Sequence, residues 1–340
     1  MWCSEYLGWV NSVTRVSDTR APLASRSIVR DDFDTLPSQE NCHLAWAKVI
    51  AGYSLREATF SSDLLPALSG LARLFSRAAR SNYIAGMWES ELYRELMWRI
   101  QPPYEQPFAV PSSLNSLVDI LNSQSPFVAP SWSWVGRKQT ITPCSEWEEC
   151  GLPDFGGGNV SRPRYTLLKA TVTPEAEDEF GRITNAVLSL ETHAFLLGFD
   201  FEKDPEDPML RWGRSKDSFY NLYIDGRDGP RLRLMLDWLP PEVEWDPSQE
   251  KEVMSGLMLA LIGSSVVSEA YSDHPSEVER HQKQENLERP FGLVLYCDPR
   301  SGRYLRVGVF AVATAALNVA YELPYVKFFE GCELKTFEIV

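Results

Sequence analysis

The sequence predicts an α+β fold, with a helical part at about 42–100 packed on a mostly antiparallel, β-rich C-terminal part. Three observations predict it. Apolar residues recur at helical spacing between Cys42 and Ile100. From Tyr165 onward the pattern changes to short apolar runs punctuated by turn residues. Helices come first and strands later, an order that segregates the two kinds of element.

The first helix is read from Trp46, Val49, Ile50 and Tyr53, which stand at i, i+3, i+4 and i+7. Gly52 weakens it near its end. A second helix starts near Ser62 and Asp63, with Ser62 as N-cap and Asp63 at the positive end of the dipole. Pro66 falls in its first turn, where backbone N–H groups lack intrahelical partners. Leu65, Leu68, Ala72 and Phe75 form its apolar stripe, and Gly70 implies close packing against another element. A third helix is expected from about Ser90 to Ile100, on Leu92, Leu96 and Ile100. QPPYEQP ends it, and 101–127 reads as a Pro/Ser-rich excursion.

Residues 139–163 read as an acidic, Gly-rich loop. Strands are expected at 165–173, 186–192, 195–199, 219–224, 232–239, 291–297, 304–313 and 336–340. Asp225-Gly226, Asp228-Gly229 and the Asp298–Gly302 run supply turn conformations between them. Two further apolar runs, 253–267 and 307–321, are shorter than the ~20 residues of a spanning helix and suit buried elements. Residues 272–290 are highly charged with no apolar face and predict an exposed insertion.

The formal net charge of −14 repels a polyanion, so no nucleic-acid partner is expected. Arg73, Arg77 and Arg80 share one helix and read as a solvated face. The six cysteines and four histidines are dispersed without a CxxC pair, so neither a metal site nor a cofactor is expected. The N-terminus has no basic region followed by an apolar core, which predicts a cytoplasmic protein without a membrane span.

Catalytic signatures are missing too. GxSxG, Walker A, HExxH and GxGxxG are all absent. The carboxylate pairs lie in polar, loop-like contexts, where a carboxylate stays solvated with little reason for a shifted pKa. His193, at a strand end, reads as structural. Arg56 and Asp63 flank the gap between the first two helices, placed for an orienting ion pair. No catalytic activity is expected on these grounds.

The densest tryptophan cluster is Ala129-Pro130-Ser131-Trp132-Ser133-Trp134. Read as a strand, it puts both indoles on one face and the serines on the other. Pro130 suits a strand's first residue. The pair is expected to seal the joint between the helices before it and the strands after it.

These residues also carry a resemblance. Trp46, Val49-Ile50, Tyr53-Ser54, Arg56, then Asp63-Leu64-Leu65-Pro66-Ala67-Leu68-Ser69-Gly70, resembles a series in fungal heterokaryon-incompatibility (HET-domain) proteins. So do Tyr83-Ile84-Ala85-Gly86-Met87-Trp88, Leu96-Met97-Trp98 and the Pro130–Trp134 stretch. In that family these segments lie C-terminal to the HET domain. The resemblance covers about 42–340 and is densest at 46–98 and 129–134. The HET domain's own Trp-Ile-Asp strand and following cysteine segment have no counterpart here.

The resemblance implies an accessory or regulatory region tied to heterokaryon incompatibility, non-self recognition and cell death. Its expected partner is a protein, such as a HET effector domain. Trp46, Tyr53, Arg56, Asp63, Gly70, Gly86, Trp88, Trp98, Pro130, Trp132 and Trp134 are then family-signature positions with structural roles. The implied organisation is a lead-in or domain edge at 1–40, a helical region at 41–135 and a β-rich region at 136–340. Two other readings stand beside it: a fragment of a longer gene product without independent function, and a small-molecule-binding or enzymatic domain built on the Trp-rich region.

Overall fold

The computed structural model describes residues 39–56, 58–101, 109–143, 160–198, 202–203, 219–223, 231–238, 253–266, 288–312 and 325–340. The expectations for 1–38, for the glycine run and most of the acidic loop, for the Asp-Gly turns at 225–229 and for nearly all of the charged insertion lie outside these residues.

Helix α1 (Gln39–Ser54) buries Trp46, Val49 and Ile50 along the stripe read from the sequence. Helix α2 (Leu64–Ala79) buries Leu65, Leu68, Ala72 and Phe75. It stops at Arg80, whose φ of 49° is left-handed. Two details differ from expectation. Ser62 is not the N-cap, because Ser61–Asp63 first makes one turn of 3-10 helix and α2 follows without a side-chain cap. Gly70 faces solvent, so it marks no close packing.

A two-residue turn joins β1 (Tyr83–Ile84) to β2 (Met87–Trp88). Ala85 and Gly86 both have positive φ, 47° and 96°, as a tight hairpin needs. The turn is buried, so its carbonyls need donors. Ser133 Oγ donates to the Ala85 carbonyl at 2.6 Å. Trp46 Nε1 and Trp134 Nε1 both donate to the Gly86 carbonyl, at 3.1 and 3.0 Å. A Cβ at position 86 would lie 2.7 Å from Val135 Cγ2, so glycine is required twice over.

The expected third helix is only a short α3 (Leu92–Glu95) after a 3-10 turn at Glu89–Glu91. Leu96, Met97 and Trp98 are all fully buried, which no single helical stripe permits. The chain instead extends into β3 (Arg99–Ile100), paired with β4 (Ile141–Thr142). The Pro/Ser-rich excursion holds α4 (Leu114–Asn122), whose N-cap Ser113 accepts from Ser116 N–H. The Pro130–Trp134 stretch is not a strand. It leads into a 3-10 turn at Trp134–Gly136, and its serines are as buried as its indoles.

The remaining strands are β5 (Val160–Pro163), β6 (Tyr165–Pro174), β7 (Ile183–Leu196), β8 (Glu202–Lys203), β9 (Phe219–Tyr223), β10 (Arg231–Leu236), β11 (Leu257–Val266), β12 (Glu288–Cys297), β13 (Tyr304–Val312) and β14 (Glu333–Ile339). The 186–192 and 195–199 runs are parts of one strand, β7, as far as the described residues reach. The pairing closes on itself in the order β7, β11, β12, β13, β14 and back to β7. Every junction in this ring is antiparallel except β13–β14, which is parallel. That junction consists of Tyr304 opposite Ile339, with Val340 N–H on the Tyr304 carbonyl at 3.0 Å. Strands β5 and β6 bend at Arg164 to pair with β11 and β7 respectively, and β10–β9–β8 extend from β13.

Strand β7 buries Ala186, Leu188, Leu190, Thr192 and Ala194, while the residues alternating with them stay partly exposed. The buried face therefore points into the ring, where it joins Phe291, Leu293, Val309 and Phe337. The outer face of β11–β13 is covered by α4 and by α5 (Tyr325–Glu330), through Leu117 and Phe329.

Candidate functional site

The densest buried polar cluster joins the helical part to the ring. Arg306 on β13 and Arg137, just after the 3-10 turn, both donate to Asp237 Oδ2, at 2.6 and 2.9 Å. All three side chains are 3% exposed or less. The Arg306 guanidinium lies 3.3 Å from the centre of a Trp98 ring and donates to the Trp98 carbonyl. Burial pushes Arg306 down to about 10, against the pull of Asp237. Two cations share one carboxylate, and Arg137 Nε, Arg137 Nη1 and Arg306 Nε have no hydrogen-bond partner among the described residues.

Trp98, Trp132 and Ser131 adjoin this cluster. Trp98 Nε1 donates to the Trp132 carbonyl and Trp132 Nε1 to the Ile339 carbonyl, both at 3.1 Å. Ser131 N–H and Oγ donate to the Val340 carbonyl, and Ser131 Oγ accepts from Arg306 N–H. The Pro130 carbonyl accepts from Ser133 N–H. Trp132 is 0% and Trp134 2% exposed, so neither indole offers a face to a ligand. Trp88 is buried edge-on against Trp46, and Tyr53 donates to the Leu64 carbonyl. Asp63 Oδ1 accepts from Arg182 Nη2 at 2.6 Å. His193 Nδ1 lies 3.0 Å from the Cys332 carbonyl.

A second cluster carries chemistry that the sequence concealed. His43 on α1 places Nδ1 3.3 Å from Glu95 Oε1 and Nε2 3.4 Å from Ser90 Oγ. The Trp88 N–H donates to Glu95 Oε2 at 2.6 Å and fixes the carboxyl. Arg94 donates to Ser161 Oγ on β5, which pins α3 to the ring. His43 and Glu95 side chains are 8% and 9% exposed, whereas Ser90 is exposed. Ser90 lines a groove of about 570 Å³ with Arg80, Ser81, Asn82, Tyr165 and Leu167.

Burial sets the protonation of this cluster. It raises Glu95 well above the carboxylate range, against the Trp88 hydrogen bond and helped by Glu91. It also lowers His43 below the imidazole range. Burial therefore favours the uncharged form of each group. Glu95, raised in the fold, contributes stability fully present below about 4.5 and lost as pH climbs through its folded value. His43, lowered, contributes stability present above about 6.5 and lost as pH falls through its folded value. Glu95→Gln keeps an acceptor for Trp88 and a donor for His43 without ionising. The variant's stability relative to wild type should increase from pH 5 to pH 8 in urea unfolding. A pH-independent difference between the two would show that Glu95 ionises freely in the fold.

Sequence reasoning missed Ser90, His43, Glu95, Arg137, Asp237 and Arg306. The nearest signal was the lone His43 on a helix with an apolar stripe, and no spacing tied it to a serine or glutamate some fifty residues away. Among the described residues, no group of three His, Cys, Asp or Glu side chains is placed to hold a metal ion. No described helix is long and apolar enough to cross a membrane. No family model, curated protein or solved structure matches the chain.

Proposed function

We propose that this chain is a protein-binding accessory region of the heterokaryon-incompatibility type, and that its partner is a HET effector domain. The observation that carries the reading is an apolar edge on the helical part. Leu44, Leu55 and Phe60 are 38%, 54% and 65% exposed, within the stretch where a preceding effector domain is expected to pack. Leu44 lies on α1, and Leu55 directly follows the helix's last residue, Ser54. The resemblance at 46–98 and 129–134 supports the same reading. The signature tryptophans serve as the rigid platform behind that edge, a role that demands no chemistry of them.

The test is direct binding. A HET domain expressed as a separate polypeptide should form a complex with this chain in calorimetry. Leu44→Asp with Leu55→Asp should weaken that complex at least tenfold, since each buried leucine contributes about 1.5–3 kcal/mol. Thermal unfolding of the variant should stay close to wild type, because both side chains are exposed in the free chain. No complex at a hundred micromolar, or equal affinity for the variant, would overturn the reading. Co-expression in a fungal host with viability scored then reports whether the complex acts in cell death.

A further inference from the structure

We infer that Ser90, His43 and Glu95 form a nucleophilic relay that hydrolyses small carboxylic esters admitted by the groove beside Ser90. This goes beyond the docking reading and rests on different residues. Three groups are in the order such chemistry requires: a hydroxyl on an imidazole nitrogen, and a carboxyl on the other nitrogen. The contact of 3.4 Å between Ser90 Oγ and His43 Nε2 is long, as such contacts are before substrate tightens them. The exposure gradient also fits. The carboxyl and imidazole are nearly enclosed, and of the three residues only Ser90 lines the groove. No structural need explains that arrangement, because an exposed serine finds water without a histidine.

In the reaction, the Ser90 oxygen bonds to the ester carbonyl carbon and its proton passes to His43 Nε2. The carbonyl π electrons move onto the carbonyl oxygen. Collapse of the adduct breaks the carbon–alkoxy bond, and the departing alcohol takes the proton from Nε2. Water then attacks the acyl-serine and gives a proton to Nε2. The acid leaves, and Ser90 Oγ recovers that proton. Arg80, Tyr165 and Asn82 also line the groove, with the Asn82 amide donating to Glu89, another lining residue, at 2.9 Å. Burial raises the Tyr165 phenol, so it stays a hydrogen-bond donor.

The protonation of the pair sets when this operates. With Glu95 and His43 both uncharged, the carboxyl proton points to Nδ1 and Nε2 carries its own proton, so Nε2 is not a base. Loss of one proton from the pair leaves the remaining one on Nδ1 and frees Nε2. Cys42 from α1, Tyr83 from β1, Glu91 just before α3 and Arg94 on α3 act on the pair electrostatically. Reactivity should therefore rise with pH and level off once the pair has lost its proton.

The experiment treats the full chain with a fluorophosphonate probe and maps adducts by mass spectrometry, with p-nitrophenyl acetate as a turnover substrate. Ser90 should label at least a hundredfold faster than the surface residue Ser123. Ser90→Ala should abolish both label and turnover. His43→Gln and Glu95→Gln should slow labelling at least tenfold. Where His43→Gln fails to fold, the wild-type pH profile decides: a plateau supports the relay, and a rate that keeps climbing in proportion to hydroxide overturns it. Labelling of Ser90 no faster than Ser123, or unchanged in a folded Glu95→Gln, would also overturn it.

Discussion

Asp237→Ala should cost about 3–5 kcal/mol of stability, because it leaves two buried guanidinium groups without the carboxylate they share. Stability of a folded chain is commonly about 5–15 kcal/mol, so the melting temperature should fall by on the order of 10 °C. The sign of a second variant separates pairing from packing. Replacing all three members together, Arg137→Met, Asp237→Leu and Arg306→Met, removes the desolvation cost along with the attraction. That variant should recover most of the loss, since a buried ion cluster replaced by well-packed apolar groups is often neutral or stabilising. Calorimetric melting of the two variants beside wild type gives the comparison. An Asp237→Ala protein that melts like wild type would mean that the guanidinium groups find other acceptors.

Trp132→Ala should be nearly as damaging, at about 3–5 kcal/mol for a fully buried tryptophan. Its indole fills the joint between helical part and ring, and its Nε1 holds the Ile339 carbonyl. The neighbouring Ser131 holds the Val340 carbonyl and the Arg306 N–H. This segment therefore clamps the β13–β14 junction, which is the thinnest in the ring. Hydrogen exchange gives a local readout. The Val340 amide, bonded to the Tyr304 carbonyl, should lose protection in Trp132→Ala before the amides of β11 and β12 do. Uniform loss across the ring would show that Trp132 supports the whole core and not the seam. Trp132→Phe should keep most of the buried area and lose about 1 kcal/mol for the missing donor.

The helical stripes of α1 and α2 were legible because each buries one face, and Trp46 to Tyr53 or Leu65 to Phe75 mark that face by spacing alone. Most strands were legible for the same reason, through apolar runs and turn residues such as Asp298–Gly302. The segment from Leu96 to Ile100 was misread because Leu96, Met97 and Trp98 are buried in succession, and continuous burial erases the period that separates helix from strand. The Pro130–Trp134 stretch was placed correctly as the joint and wrongly as a strand. Its alternation comes from a turn whose serines serve buried carbonyls. Helix α4 was lost behind its Pro/Ser-rich flanks, although Leu114, Leu117 and Val118 carry its stripe. Ring closure, the Asp237 cluster and the Ser90 relay were not legible at all. Each is a meeting of residues far apart along the chain, and no local pattern records such a meeting.

The parallel seam also dictates an order of assembly. Strand β14 is synthesised after both β7 and β13, yet it must insert between them. Before residues 333–340 emerge, β7 and β13 have unpaired edges, and the carbonyls that Ser131 and Trp132 hold do not yet exist. The nascent protein therefore passes through an open sheet with adhesive borders, which is the stage at which it is most prone to aggregate and most in need of a chaperone.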